Sequence, residues 1–171
     1  MNQTAPTTAP VTQPAAPFEP AAGEPDAARP GVIQLSDGAT VRGSIATTPE
    51  KPVRVWTEED KEYQDIPLAM IKSIDADVLW ERDEREWRFK AGGSDVKEYS
   101  GKTYPARETR YKLTLIDGTT ITGGIVAPLY VSVDGQTKTL VLHKRDKGNP
   151  GQTLAQLLYV KAVRFEDAPH P

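Results

Sequence analysis

Residues 32–45 read VIQLSDGATVRGSI, and residues 112–125 read KLTLIDGTTITGGI. The two stretches align without a gap when the second is moved back by 80 positions (112 − 32). Identical pairs at that offset are Leu35 and Leu115, Asp37 and Asp117, Gly38 and Gly118, Thr40 and Thr120, Gly43 and Gly123, and Ile45 and Ile125. This internal duplication is the strongest organising signal in the chain.

Each copy of the phrase predicts a β-hairpin. Apolar and polar residues alternate on both sides of an Asp-Gly pair, which is typical of two half-buried strands joined by a tight turn. The pair favours a type I′ turn, because that turn needs positive φ at both central residues. Asp37 and Asp117 are therefore interpreted as turn residues rather than acids. Gly43 and Gly123 lie within the second strand, where glycine is typical of a bulge or sharp bend.

The segments that follow each hairpin also correspond. VRVW (53–56) and YVSV (130–133) are β-rich, and IPLAMIKSID (66–75) and LLYVKAVRFE (157–166) are apolar and end in an alternating strand. Each unit is thus expected to hold about four or five short strands, with its last strand closing on its first. Short strands separated by turns favour a small barrel over a βαβ arrangement.

The hairpin pattern L-x-D-G-x-x-(V/I)-x-G-x-(V/I) resembles the opening of small SH3-like β-barrels, including the Sm-like group. The resemblance covers about 14 residues in each repeat, the length of each quoted phrase. It implies an all-β fold of two tandem small SH3-like barrels. Through the Sm-like group, it also implies nucleic-acid binding as an alternative function.

The expected organisation has four parts. Residues 1–30 hold 19 Pro, Ala or Thr residues and show no hydrophobic periodicity, so they are predicted to be a disordered tether. Residues 31–100 are assigned to the first barrel with a charged connecting segment, and residues 101–167 to the second barrel. Residues 168–171 are predicted to be a frayed tail, which contains His170.

The connecting segment LWERDEREWRFK (79–90) is compatible with two structures. As a helix it would offer oppositely charged pairs at i,i+4 spacing, such as Glu81 with Arg85. As a strand it would place Trp87 and Phe89 on one face. The aromatic residues and β-rich neighbours favour the strand, with alternating charges that would protect an exposed edge.

The composition offers little material for catalysis. The chain has no cysteine and two histidines, and it lacks a phosphate-binding glycine motif and the calcium-loop spacing. His143 ends an apolar run, which is typical of a strand end. The acidic runs at residues 57–65 and 80–86 are interpreted as solvated surfaces. We therefore expect no catalytic residue, no cofactor site, no metal site and no enzymatic activity.

Charge is distributed unevenly along the chain. Residues 1–100 carry 11 basic and 18 acidic residues, or −7, and residues 101–171 carry 10 basic and 6 acidic residues, or +4. A basic cluster before the sequence GNPG is a candidate partner-binding surface, and aromatic residues are enriched at such surfaces. The candidate residues are Lys144, Arg145, Lys147, Trp80, Trp87 and Tyr104.

These features predict a non-catalytic structural or interaction subunit of a larger protein assembly. The first alternative is an Sm-like nucleic-acid-binding protein that uses the basic loop, with nucleic acid as the less favoured partner. The second is an envelope-associated protein held by its N-terminal arm. The chain has no apolar run long enough for a membrane helix. Its location is left open: cytoplasmic if Met1 is the native start, and periplasmic or envelope-associated if a signal or anchor was removed.

Overall fold

A computed structural model describes residues 28–93 and 95–166 of the chain. The predicted all-β class is confirmed, because these residues form strands and two single 3₁₀ turns, with no α-helix among them. The tail at residues 168–171, and all but the last three residues of the predicted tether, lie outside the described residues. Arg29 and Pro30, which were assigned to that tether, instead begin the first strand.

Eleven strands follow one another along the described residues. They are β1 (Arg29–Leu35), β2 (Thr40–Ala46), β3 (Val53–Thr57), β4 (Glu62–Ile66), β5 (Ile71–Phe89), β6 (Lys97–Leu115), β7 (Thr120–Ile125), β8 (Ala127–Val133), β9 (Gln136–Leu142), β10 (Arg145–Lys147) and β11 (Val160–Phe165). The 3₁₀ turns span Leu68–Met70 and Leu154–Gln156, immediately before β5 and shortly before β11.

Both Asp-Gly hairpins form, but their turns differ from the predicted type. Gly38 and Gly118 have φ values of 89° and 86°, whereas Asp37 and Asp117 are not among the residues with positive φ. Each aspartate carboxylate instead accepts a hydrogen bond from a backbone N–H two residues later, at 2.9 Å in both hairpins. The predicted type I′ turn is wrong here, since it requires positive φ at both central residues. Asp134 and Gly135, which join β8 to β9, do have that combination, with φ values of 48° and 76°.

Ten strands form a continuous path in the order β4-β3-β7-β6-β5-β11-β1-β2-β8-β9. The hairpin β1–β2 of the first repeat pairs with β8 of the second, and the hairpin β6–β7 of the second repeat pairs with β3 of the first. Likewise, β5 pairs with β6, and β11 pairs with β1. Each repeat therefore completes its pairing with strands of the other. The prediction that the last strand of each unit closes on its own first strand is wrong, because β5 pairs with β6 and β11 pairs with β1.

The strand path reads the same from either end when each strand is exchanged for its equivalent in the other repeat. The registers agree as well: Ile33 pairs with Val41 in one hairpin, and Leu113 with Ile121 in the other. At the centre, β5 and β11 meet with the equivalent positions Ile74 and Val163 directly opposite each other. The duplication is thus expressed as an internal two-fold arrangement of one sheet.

The core is built from equivalent side chains of both repeats. Equivalent positions at which both residues are fully buried are Ile33 and Leu113, Ile45 and Ile125, Val55 and Val131, and Ile74 and Val163. Alternation along each strand puts these residues on the inner face, as the sequence pattern predicts. The apolar area removed from water stabilises the fold by about 25 cal/mol per Å².

Gly43 and Gly123 have the same role in the two repeats. A Cβ atom on Gly43 would collide with the carbonyl oxygen of Ser132 in β8, and one on Gly123 would collide with that of Trp56 in β3. The sequence suggested a bulge or bend at these glycines, whereas the structure uses them for the close approach of a strand from the other repeat. Their conserved position in both phrases follows from this shared contact.

Residues 79–89 are strand rather than helix, as the aromatic pattern favoured. They belong to β5, which pairs with β6 over nearly the whole of its length. Beyond the residues that also pair with β11 and β7, the two strands extend from the sheet as a ribbon. The predicted boundary between residues 100 and 101 falls within β6. The assignment of residues 31–100 and 101–167 to two separate barrels stays a prediction.

Replacing Gly123 with alanine is expected to lower the free energy of unfolding by about 1–3 kcal/mol, because the added methyl group forces β7 away from β3. Urea denaturation measures the change. Gly92→Ala is the matched control, since nothing lies within 4 Å of a Cβ at that position. Equal stability of the two variants would contradict the close-approach role of Gly123.

Candidate functional site

The two repeats differ most at two insertions that lie against each other. In the first repeat, β5 has 19 residues, whereas its equivalent β11 has 6. In the second repeat, residues 143–159 separate β9 from β11, whereas residues 67–70 separate β4 from β5. The extra length of β5 pairs with β6 to form the ribbon, and the long connection of the second repeat packs along β6.

The connection braces the ribbon through backbone hydrogen bonds. Strand β10 pairs with residues 106–108 of β6, so that Arg145 lies opposite Glu108 and Lys147 opposite Ala106. Further out, the N–H of Gly148 donates to the carbonyl of Pro105 at 2.8 Å, and that of Gly151 donates to Thr103 at 2.9 Å. The ribbon is therefore supported as far as Thr103.

A buried arginine links the ribbon to the end of the connection at residues 143–159, which is called the brace below. Arg107 is 4% exposed, and its Nε donates to the carboxylate of Glu81 at 3.0 Å. Its Nη1 donates to the carbonyl of Leu157 at 2.7 Å, while its guanidinium lies 4.2 Å from the ring centroid of Tyr159. A buried arginine needs such partners, because an unpaired charge removed from water is strongly destabilising.

Glu84 is the centre of a polar cluster on the opposite face of the ribbon. Its carboxylate accepts hydrogen bonds from Arg145 at 3.0 Å, from Arg82 at 3.0 Å and from the Tyr104 hydroxyl at 3.2 Å. The side chain of Glu84 is only 19% exposed. Residues from three separate segments of the sequence therefore converge on one carboxylate.

Trp80 completes this cluster. Its indole N–H donates to Glu108 at 2.8 Å, and the guanidinium groups of Arg82 and Arg145 lie 4.2 and 5.4 Å from its ring centroid. These cation–π contacts stabilise the side-chain positions in which both arginines bond Glu84. The cluster holds Trp80 within the folded structure, where it is partly buried.

The cluster shifts the ionisation of two of its members. Hydrogen bonding from Arg82, together with Tyr104 and the charges of Arg82 and Arg145, lowers the pKa of Glu84 against the opposing effect of burial. Burial and the neighbouring Glu84 carboxylate raise the pKa of Tyr104. At neutral pH the carboxylate is thus ionised and the phenol is neutral, which is the combination that forms their hydrogen bond.

The structure brings together four of the six predicted site residues. Lys147 lies 5.7 Å from the ring of Tyr104, next to the cluster that contains Trp80 and Arg145. Lys144 is directed elsewhere and donates to Glu58 at 3.2 Å. The cations of the predicted basic loop therefore already have anionic or aromatic neighbours. Trp87, the sixth residue, lies farther out along the ribbon.

The outer part of the ribbon, residues 85–93 and 95–102, is called the ribbon tip below. Arg85, Trp87 and Phe89 alternate along β5 on one face, and Tyr99 and Lys97 lie opposite Trp87 and Phe89 in β6. Trp87 is 39% exposed, Phe89 54% and Tyr99 57%. These five residues are called the aromatic face.

Three side chains of the aromatic face contact one another. Trp87 and Phe89 meet edge to face, with ring centroids 5.0 Å apart. The Lys97 ammonium lies 4.1 Å from the centroid of Trp87. This packing gives the face a defined shape although it lies far from the core.

The opposite face of the ribbon tip is polar. Arg88 and Glu98 form an ion pair at 3.1 Å, and the Ser100 hydroxyl donates to the carboxylate of Glu86. The carboxylates of Glu86 and Glu98 are thereby held on the face away from the aromatic side chains. The ribbon tip is consequently amphipathic across its thickness.

Four members of the aromatic face were absent from the six predicted site residues: Arg85, Phe89, Lys97 and Tyr99. A signal was present in the sequence, because W-x-F at 87–89 and K-x-Y at 97–99 each place both residues on one face of a strand. Combining the two pairs required the register of β5 with β6, which includes an irregularity between Arg85 and Trp87.

Within residues 28–93 and 95–166, no group of three or more His, Asp or Glu side chains is arranged to hold a metal ion. The expected lack of enzymatic activity stays a prediction. In the same part of the chain, no helix has the length and apolar character needed to span a bilayer. Comparisons with protein-family models, curated proteins and solved structures found no match to this chain.

Replacing Glu84 with glutamine is expected to lower the free energy of unfolding at pH 7 by about 1 kcal/mol, because charge-assisted bonds to Arg82 and Arg145 are lost. The folded-state pKa of Glu84 lies below its usual 4.5. The stabilisation is therefore present above pH 4.5 and disappears as the pH falls through the lower, folded-state pKa.

Chemical denaturation at pH 7 and at pH 3 measures this difference between the wild type and the variant. The gap between them should be smaller at pH 3. Glu59→Gln, in the exposed turn between β3 and β4, is the control and should change little at either pH. A gap for Glu84→Gln that stays constant or grows on acidification would contradict the role of the carboxylate.

Proposed function

We propose that the chain is a non-catalytic interaction subunit of a larger assembly, in which the sheet is a scaffold and the braced ribbon is a docking arm. One observation carries this proposal: the exposed aromatic face lies on a ribbon tip that the duplicated sheet does not need. Aromatic side chains and arginine contribute strongly to binding when a partner covers them.

The internal symmetry separates the scaffold from the arm. Equivalent residues in the two repeats fill the core, so their identity is explained by packing. The ribbon tip has no equivalent in the second repeat, and none of its residues belongs to the buried core. Exposed aromatic residues on such an element therefore have no stabilising role in the core to explain them.

The brace supports the same proposal. A two-stranded ribbon alone is marginally stable in water. Here β10, the two glycine N–H bonds and the buried Arg107 fix the base of the ribbon against the second repeat. A fixed base reduces the entropy that is lost when the tip binds a partner.

We further propose that the sheet consists of two SH3-like units assembled reciprocally. One unit would be the series β5-β6-β7-β3-β4 and the other the series β11-β1-β2-β8-β9. In each series the Asp-Gly hairpin is supplied by the repeat that does not supply the other three strands. The likeness of the hairpin phrase to SH3-like barrels supports this arrangement. Because each unit would contain strands of both repeats, the two units would be inseparable in the folded chain.

The described contacts favour a docking arm over the Sm-like alternative. That alternative would use Lys144, Arg145 and Lys147, whose charged groups already lie beside Glu58, Glu84 and Tyr104. Binding phosphates there would compete with these neighbours.

The proposal is tested by fractionating cells that produce the full chain with an affinity tag. The wild type is expected in complexes or cell fractions much larger than the 18.7 kDa chain. Replacing Trp87, Phe89 and Tyr99 together with alanine should release at least about 90% of the chain as monomer, because the loss of several hot-spot side chains weakens binding by about 100-fold or more.

Tyr63→Ala is the matched control, because Tyr63 is a similarly exposed aromatic residue on β4, away from the ribbon. Circular dichroism and urea denaturation check that each variant is folded. A wild type that is wholly monomeric, or a triple variant that stays in the same fractions as the wild type, would overturn the docking-arm proposal.

A further inference from the structure

The ribbon tip differs in charge from the rest of the chain. It contains five basic residues (Arg85, Arg88, Lys90, Lys97 and Lys102) and three acidic ones (Glu86, Asp95 and Glu98), which gives +2. The remaining residues then carry −5, because the whole chain is at −3. The tip is thus a positively charged element on an acidic protein.

The charges are also sorted between the two faces of the tip. Arg85 and Lys97 lie on the aromatic face, whereas Glu86 and Glu98 are held on the opposite face by Ser100 and Arg88. The nearest carboxylate on the aromatic face along β5 is Asp83, towards the base of the ribbon. Asp95, in the turn at the end of the ribbon, lines a shallow pocket with Phe89. Between Asp83 and this turn, a surface covering the aromatic face meets Arg85, Lys97 and the aromatic rings.

This arrangement disfavours two occupants. A second copy of the chain, docked face to face, would bring two ribbon tips that each carry +2 against each other. Bases of a single-stranded nucleic acid would need open ring faces for stacking. Lys97 covers one face of Trp87, and Phe89 meets Trp87 edge to face at 74°, so the rings do not form a stacking platform.

We propose that the ribbon tip lies with its aromatic face on an anionic lipid bilayer. Tryptophan and tyrosine favour the region of the lipid headgroups, where an apolar ring and a polar group are both accommodated. Phe89 supplies purely apolar surface for the acyl boundary. Arg85 and Lys97 lie beside these rings, in position to meet anionic headgroups.

The opposite face of the ribbon fits the aqueous side of this orientation. Its ion pair and hydrogen bond, Arg88 with Glu98 and Ser100 with Glu86, keep the carboxylates in water. An element that lies flat in the interface needs one apolar and one polar face. The ribbon satisfies this requirement through strand alternation.

This inference rests on the proposed function only in taking the ribbon as the docking arm; it adds the chemistry of the surface that the arm contacts. Binding is expected to be reversible and salt-dependent, because two cations and three aromatic side chains form a small contact. Added salt weakens the attraction, since the Debye length falls from about 10 Å at 0.1 M to about 3 Å at 1 M.

The test uses the full chain and vesicles of phosphatidylcholine, either alone or mixed with phosphatidylglycerol. Co-sedimentation measures the bound fraction, and the emission of Trp87 is expected to shift to the blue on binding. The wild type should bind the mixed vesicles and release them at high salt. It should bind pure phosphatidylcholine about 30-fold more weakly, because two basic residues near an anionic surface contribute about 1 kcal/mol each.

Two variants examine the two parts of the contact. Arg85→Glu with Lys97→Glu should weaken binding about 30-fold or more, because two basic contributions are lost. Trp87→Ala with Phe89→Ala should reduce binding to both kinds of vesicle and remove the blue shift. Lys51→Glu with Lys138→Glu is the matched charge control, since both lysines are exposed on the scaffold. Urea denaturation confirms that every variant is folded.

Failure of the wild type to bind the mixed vesicles, or binding that the Arg85/Lys97 pair does not affect, would overturn the lipid inference. The cell fractionation then distinguishes the two proposals. If the ribbon variant loses a membrane-free protein complex while the vesicles fail to bind, the docking arm stands and its partner is a protein. If the ribbon variant behaves as the wild type in cells, the docking arm itself is overturned.

Discussion

The pairing of each Asp-Gly hairpin with a strand of the other repeat is the constraint on which the rest of the fold depends. Hairpin β1–β2 lies against β8, and hairpin β6–β7 lies against β3, at a separation that leaves no room for a Cβ atom at Gly43 or Gly123. Neither repeat can bury its core without the other. The pairing of Ile74 with Val163 then joins the two halves of the sheet at its centre.

Because both repeats contribute equivalent core residues, the sheet meets its packing needs with a short pattern used twice. The two insertions lie outside this duplicated core and form the asymmetric part of the molecule. The ribbon would be marginally stable alone, but the connection before β11 supports it through β10 and through Arg107. Stability of the scaffold and exposure of the tip are thereby achieved in one chain.

Charge has different roles along the ribbon. Near its base, Arg82, Arg145 and Glu84 satisfy one another around Trp80, which fixes the brace in place. At the tip, strand alternation places Glu86 and Glu98 on one face and the aromatic rings with Arg85 and Lys97 on the other. The same residue types therefore stabilise the fold at one end and form an exposed contact surface at the other.

The sequence by itself determined the strands, the duplicated hairpins and the inward positions of residues such as Ile33 and Leu113, because alternation and Asp-Gly turns are local signals. It also indicated the aromatic residues of the ribbon through W-x-F. Tertiary structure alone decided which repeat each hairpin joins and how Glu84, Tyr104 and Arg145 meet. The physical reason is that alternation specifies the face of a strand but not its neighbour: equivalent strands of two repeats offer nearly equal partners, and the choice depends on long-range packing.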